Sequence, residues 1–181
     1  MNTFEKVALL MLCDLHEKNK INGDIDPNII RSAIVTGNTW AIQNQYGALF
    51  PEEVDINVKN KVSNTLNMYR YISMSLKALP VKDADELIKK HHVVVNERSV
   101  QFPGYDGNNE GEYISVAAMF GTLNLFSEQL EIDKNSHQES CDDYENALDE
   151  LNAIRAEGGD VHKMTKEQID KLLSAAPRFW D

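Results

Sequence analysis

The sequence has little of what defines several common protein classes. Only two of its 181 residues are cysteines, Cys13 and Cys141, which argues against a fold built on disulfides and favours a reducing cytoplasm. No run of about 18 apolar residues is present, so we expect no transmembrane helix and no membrane partner. The first residues also lack the basic start and the small-residue cleavage site of a signal peptide. We therefore expect a cytoplasmic protein.

Basic residues are in the minority. The chain has 18 Lys and Arg against 29 Asp and Glu, a formal net charge of −11. Such an acidic chain repels phosphate backbones, and it shows no basic stripe, so we expect no nucleic-acid partner. The acidic residues concentrate between positions 131 and 160. This pattern predicts a solvated helix face, with a docking surface for a basic partner as the alternative.

Familiar catalytic and ligand-binding motifs are missing as well. The sequence contains no G-x-S-x-G elbow, no phosphate-binding P-loop and no G-x-G-x-x-G. Cys13 with His16, and His137 with Cys141, have helical spacings that in principle suit a tetrahedral zinc site. Neither pair matches a recognised ligand signature. We predict neither a metal nor a cofactor.

Helical periodicity dominates what is present. Apolar residues recur at steps of three and four, which predicts an all-α single domain over 1–181 with about seven helices. In the first helix the recurring residues are Phe4, Val7, either Leu10 or Met11, and Leu15. Val93 to Val95 are strand-like. Seven predicted helices cover 3–17, 27–36, 39–49, 52–79, 109–123, 139–156 and a final stretch from 166, with 52–79 as the spine of the fold. A further short helix over 83–90 is an alternative to a loop there.

A twelve-residue loop, Gln101 to Glu112, separates two of these helices. It holds three of the nine glycines, a proline and two aromatic residues, so ordering it costs much conformational entropy. We predict an ordered loop over about 99–109, tied down by a bidentate pair between Arg98 and Asp106. The alternative is that Arg98 binds an anion with the N–H groups of the glycine turns. The candidate binding residues are Tyr69, Arg70, Glu97, Arg98, Phe102, Tyr105 and Asp106.

The last residues form a second candidate surface. Phe179 and Trp180 lie side by side near the end of the chain, and such a pair is unfavourable in water. One hypothesis is that they pack back on their own domain, and the other is that they dock on a second subunit. We treat Phe179 and Trp180 as a candidate interface.

Three segments together resemble the YfbU-like family of bacterial proteins. The first is 30–50, with Gly37, Thr39-Trp40-Ala41 and Gln45-Tyr46; the second is Leu66-Asn67-Met68-Tyr69-Arg70 followed by 95–106; the third is 144–151 followed by 164–169. The resemblance is strongest over 28–175. It implies a helical, cytoplasmic bacterial protein, and it brings no assigned activity and no catalytic motif.

Two functional hypotheses follow. The first is a non-enzymatic binding or regulatory protein, a homo-oligomer with a possible protein partner, since catalytic signatures are absent. The second is a small hydrolase or transferase whose site lies where the Arg98 and Asp106 loop meets the long helix, with His91 or His92 as a further participant.

Overall fold

Helices make up most of the molecule. A computed structural model describes residues 1–50, 52–97 and 99–177. Within these ranges there are eight α-helices and one two-stranded sheet, which confirms the all-α class. No helix in the described ranges is long and apolar enough to cross a membrane. The elements are α1 (Thr3–Lys18), α2 (Pro27–Thr36), α3 (Trp40–Tyr46), α4 (Ile56–Ala78), α5 (Val81–Lys90), β1 (Val95–Asn96), β2 (Ser99–Val100), α6 (Gly111–Thr122), α7 (Cys141–Ala156) and α8 (Lys166–Ala175).

The chain divides into two compact units. Unit 1 covers Met1–Glu53 and unit 2 covers Val54–Asp181. Unit 1 contains α1 to α3, and unit 2 contains the remaining elements. Each unit has a hydrophobic cluster of its own. The prediction that residues 1–181 form a single domain stays a prediction.

Helix α2 of unit 1 begins and ends where local chemistry predicts. The Asp26 carboxylate accepts a hydrogen bond from the Asn28 N–H at 2.8 Å, and Pro27 occupies the first helical position of α2. Gly37, with φ of +77°, ends α2 in the left-handed conformation that glycine adopts most easily. Cys13, Ile30, Ile34 and Tyr46 form the buried core of this unit. These features agree with the predicted boundaries.

The apolar stripe predicted for α1 lies on the outside of the helix. Phe4 is 82% exposed, and Val7, Met11 and Leu15 are each at least half exposed. The buried side of α1 carries Cys13, with the half-buried Leu9 and Leu10 beside it. The helix therefore has apolar residues on two sides, and α2 packs against only one of them.

The long helix α4 is the spine of unit 2, as predicted. Its buried residues recur at three- and four-residue steps: Val58, Val62, Leu66, Tyr69, Ile72 and Leu76. The helix starts at Ile56 rather than at Glu52, because the Asp55 carboxylate caps it by accepting the Asn57 N–H at 2.9 Å. Helices α5, α6 and α7 and strand β2 pack against α4, and α8 packs against α7.

A short hairpin replaces the strand predicted at Val93 to Val95. Only Val95 of those residues lies in β1, where it pairs with Val100, while Asn96 pairs with Ser99. Glu97 follows with a φ of +47°, a left-handed turn conformation, and its side chain is exposed. The hairpin delivers the chain directly into the loop that begins at Gln101.

Candidate functional site

Two glutamine side chains hold the start of the loop. The Gln129 side chain accepts the Phe102 N–H at 2.7 Å and donates to the Val100 carbonyl at 3.0 Å. The Gln101 side chain makes the matching pair of bonds to the segment around Gln129. It donates to the Glu128 carbonyl at 3.1 Å and accepts the Leu130 N–H at 3.0 Å. Side-chain amides thus supply the hydrogen bonds that a neighbouring strand would give. We call this pair, Gln101 and Gln129, the glutamine clamp.

A serine ties the same region to the long helix. The Ser73 hydroxyl donates to the Tyr69 carbonyl at 2.7 Å and accepts the Val100 N–H at 2.8 Å. Both Ser73 and Val100 are buried. The entrance to the loop is therefore fixed on α4 as well as on the glutamine clamp.

An aromatic cluster underlies the loop. Tyr69, Phe102, Tyr105 and Tyr144 are each at most 3% exposed. The ring centroids of Tyr69 and Phe102 are 5.8 Å apart, and those of Tyr105 and Tyr144 are 5.2 Å apart. Burial raises the pKa of all three tyrosines above the ordinary value. These phenols stay neutral near pH 7, and the cluster serves as core packing.

Arg70 binds the segment beside the loop rather than the loop itself. Its Nε lies 2.6 Å from Glu128 Oε1, its Nη2 lies 3.1 Å from Glu128 Oε2, and its Cζ is 4.5 Å from the Phe126 ring centroid. Burial raises the pKa of Glu128, but the hydrogen bond from Arg70, a backbone hydrogen bond and the positive charges of Arg70 and Lys77 together outweigh it, so the net shift is downward. Of the predicted site residues, the structure thus brings Tyr69, Phe102 and Tyr105 together and places Arg70 and Glu97 apart from them.

Asp106 is buried at the tip of the loop, where it organises a local turn. Its carboxylate accepts the Asn108 N–H at 3.2 Å and the Asn109 side-chain amide at 2.7 Å. This is the arrangement by which aspartate commonly stabilises a turn. Its predicted partner, Arg98, lies outside the described residues, so the pair stays a prediction.

Glu110 joins the loop to the start of α7. No pattern in the sequence predicts this role. Its side chain is only 6% exposed. Oε1 accepts the N–H groups of Ser140 and Cys141 at 2.8 and 2.7 Å, and Oε2 accepts the Asp106 N–H at 2.8 Å and the Ser140 hydroxyl at 3.2 Å. Because α7 begins at Cys141, this carboxylate caps a helix whose positive dipole end favours its charge.

The protonation of Glu110 follows from these contacts. Burial raises the pKa of its carboxyl, whereas the backbone N–H groups of Asp106, Ser140 and Cys141 lower it. The hydrogen bonds prevail, and the net pKa lies below the ordinary value. Glu110 is therefore an ionised structural acceptor near neutral pH.

Gly104 allows the loop to approach another part of the chain. Its φ is +105°, and a Cβ atom there would overlap the Lys134 carbonyl oxygen. The Gly104 carbonyl accepts the Tyr144 hydroxyl at 2.7 Å, and it shares the Ser140 hydroxyl, 3.2 Å away, with the Glu110 carboxylate. The Pro103–Gly104 pair predicts a turn at this point of the sequence. No feature of the sequence predicts that the turn lies against Lys134.

The remaining candidate groups do not join a common centre. The thiol of Cys141 has its pKa raised to about 12 by burial and by the Glu110 carboxylate, so it is protonated at neutral pH. The His91 ring lies 2.6 Å from the Asp170 carboxylate of α8, and His92 is exposed. In the part of the chain that the structure describes, no three His, Cys, Asp or Glu side chains form a metal-binding group. The candidate interface residues Phe179 and Trp180 lie outside that part.

Comparison with known protein families gives a match over most of the chain. A family model described as the YfbU domain matches residues 10–175. No curated protein and no solved structure is significantly similar to the chain.

Proposed function

The chain belongs to the YfbU family, as the resemblance in its sequence implied, and we propose that it is a non-enzymatic binding or regulatory protein that acts as a homo-oligomer. The proposal rests on the distribution of exposed apolar side chains between the two units. Unit 1 contains fewer than a third of the residues, yet among the described residues it holds 11 of the 20 exposed large apolar side chains. Single exposed apolar residues are ordinary, whereas a concentration of them is typical of an interaction surface.

Four of these side chains in unit 1 are at least two-thirds exposed. Phe4 is 82%, Val35 73%, Phe50 69% and Trp40 67% exposed. Phe4 lies on α1, Val35 on α2 and Trp40 on α3, so every helix of unit 1 contributes to its exposed apolar surface. A small unit with such a surface gains stability when a partner covers it.

The chemistry of the loop supports a structural role for it. The carboxylates of Asp106 and Glu110 accept hydrogen bonds from within the loop and from the start of α7. The neighbouring tyrosines are neutral and packed. These contacts favour the binding protein over the alternative, a small hydrolase or transferase at the Arg98 and Asp106 loop.

The proposed location is the cytoplasm of a bacterium. Cys13 and Cys141 are both free, as expected in a reducing compartment. The sequence resemblance to a bacterial family supports the same proposal.

Native mass spectrometry of the gently purified full chain tests the proposal. We expect a homo-oligomer with no additional mass. A single-chain mass at every concentration would contradict the homo-oligomer. A bound small molecule that is lost in the Asp106→Asn variant would instead support the enzymatic alternative.

A further inference from the structure

The outward side of α1 has the spacing of a helix-pairing seam. Phe4, Ala8, Met11 and Leu15 follow one another at steps of four, three and four residues. This is the a/d spacing with which two helices interlock side chains. With Val7 and Leu12 on its flanks, the seam spans an arc of about 140° around the helix. We call these six residues the α1 outer face: Phe4, Val7, Ala8, Met11, Leu12 and Leu15.

Most of the α1 outer face is open to solvent. Phe4 is 82%, Met11 61%, Leu12 59%, Leu15 53% and Val7 50% exposed, and Ala8 is half-buried. The opposite side of α1 is also apolar, and it packs on α2. The helix is therefore apolar on both sides. A helix with that character is normally covered on both sides.

We infer that a second copy of this chain covers the α1 outer face, with the two α1 helices antiparallel about a two-fold axis. This inference rests on the proposed homo-oligomer and identifies its contact surface. In the antiparallel arrangement, Phe4 of each copy packs on Leu15 of the other, and Met11 packs on Ala8. Large residues thus meet smaller ones, whereas parallel helices would place Phe4 on Phe4 and leave a gap between two alanines. The helix dipoles also oppose each other favourably.

The flanking charges are compatible with this arrangement. In an antiparallel pair, Glu5 lies beside Leu12 of the second copy, and Asp14 lies beside Val7 of the second copy, so like charges do not meet directly. Asp14 is already paired with Arg31 of its own chain at 2.8 Å. Lys18, the next residue at the same spacing, is the last residue of α1 and lies beyond the six residues of the α1 outer face.

The available area is sufficient for a specific contact. The five exposed side chains carry on the order of 500 Å² of apolar surface per copy, so a symmetric pair would bury about 1,000 Å². That is near the lower limit for a specific interface between proteins. We therefore expect a dimer that dissociates reversibly on dilution.

Disulfide trapping tests the register. Positions 4 and 15 are about 16 Å apart along one helix, too far to bridge within a chain, but they adjoin across an antiparallel pair. We expect the Phe4→Cys, Leu15→Cys double variant to form a covalent dimer on mild oxidation. Each single variant and the wild-type chain, which retains Cys13 and Cys141, should remain largely uncrosslinked. Equal crosslinking of the single variants, or no crosslinking of the double variant, would overturn the antiparallel pair.

A charge substitution tests the surface independently. Met11→Glu should weaken dimerisation about 100-fold, since it places a carboxylate at the centre of the seam. Val81→Glu is the matched control, because Val81 is 74% exposed on α5 and belongs to unit 2. Circular dichroism checks that both variants fold, and sedimentation equilibrium measures dimerisation. A Met11→Glu variant that dimerises like wild type refutes this surface but leaves the homo-oligomer, whereas a monomeric wild type refutes both.

Discussion

Removing the Glu110 carboxylate should destabilise unit 2 more than any ordinary surface substitution. In the Glu110→Ala variant, the N–H groups of Asp106, Ser140 and Cys141 lose their acceptor. Each buried donor without a partner costs about 1–3 kcal/mol. Water that enters the vacated space can bind some of the three donors and offset part of this cost. We therefore expect the free energy of unfolding to fall by about 3–5 kcal/mol. Glu110→Gln keeps one acceptor oxygen and should lose about 1–2 kcal/mol.

Urea unfolding followed by far-ultraviolet circular dichroism measures this loss. The matched control is Glu112→Ala, two residues away, where the side chain is exposed in the first turn of α6. The control should change the free energy of unfolding by less than about 0.5 kcal/mol. If Glu110→Ala is no less stable than Glu112→Ala, the carboxylate does not hold the loop to α7.

The same comparison has a defined pH dependence. The folded-state pKa of Glu110 lies below its ordinary value of 4.5. Its ionised form therefore adds stability that is complete above about pH 4.5 and is lost as the pH falls through the folded-state pKa. The stability difference between wild type and Glu110→Gln should shrink over that acidic range. A difference that stays constant there would contradict the assignment of an ionised, hydrogen-bonded carboxylate.

Two further predictions concern the loop. Gly104→Ala should lower the free energy of unfolding by about 3 kcal/mol or more, because the new methyl group overlaps the Lys134 carbonyl and the backbone has a positive φ. Gly111→Ala is the control in the same urea assay, and it should be near neutral because the space around Gly111 is open. Equal stability of the two variants would refute the close approach at Gly104. Gln129→Ala should cost about 2 kcal/mol and speed hydrogen exchange at the Phe102 amide, which loses its acceptor. Unchanged exchange at that amide would contradict the glutamine clamp.

Local chemistry explains why much of the helical architecture is predictable. The Asp26–Pro27 start and the Gly37 stop of α2 depend on neighbouring residues, as does the capping box of Thr165 and Gln168 at the start of α8. The spacing of apolar residues in α4 likewise identified its buried side. Such signals lie within a few residues of one another, so the sequence displays them directly.

The candidate site depends on contacts that the sequence does not display. Glu110 caps a helix 30 residues further along the chain, and Gln129 binds a loop 27 residues before it. Neither residue belongs to a periodic pattern or a known motif, so only the folded chain reveals their partners. For α1 the periodicity predicts the helix itself, but spacing alone cannot tell an apolar side that faces the core from one that faces outward.

The central claim is that exposed apolar surface in unit 1 joins copies of this chain, and sedimentation equilibrium at low and high salt tests it most directly. Each chain carries a formal net charge of −11, so two copies repel one another, and salt screens that repulsion. We predict a concentration-dependent dimer that persists or tightens as sodium chloride rises from about 0.05 to 0.5 M, since an apolar contact does not weaken with salt. A single-chain mass at all concentrations, or a dimer that dissociates as salt rises, would contradict the account.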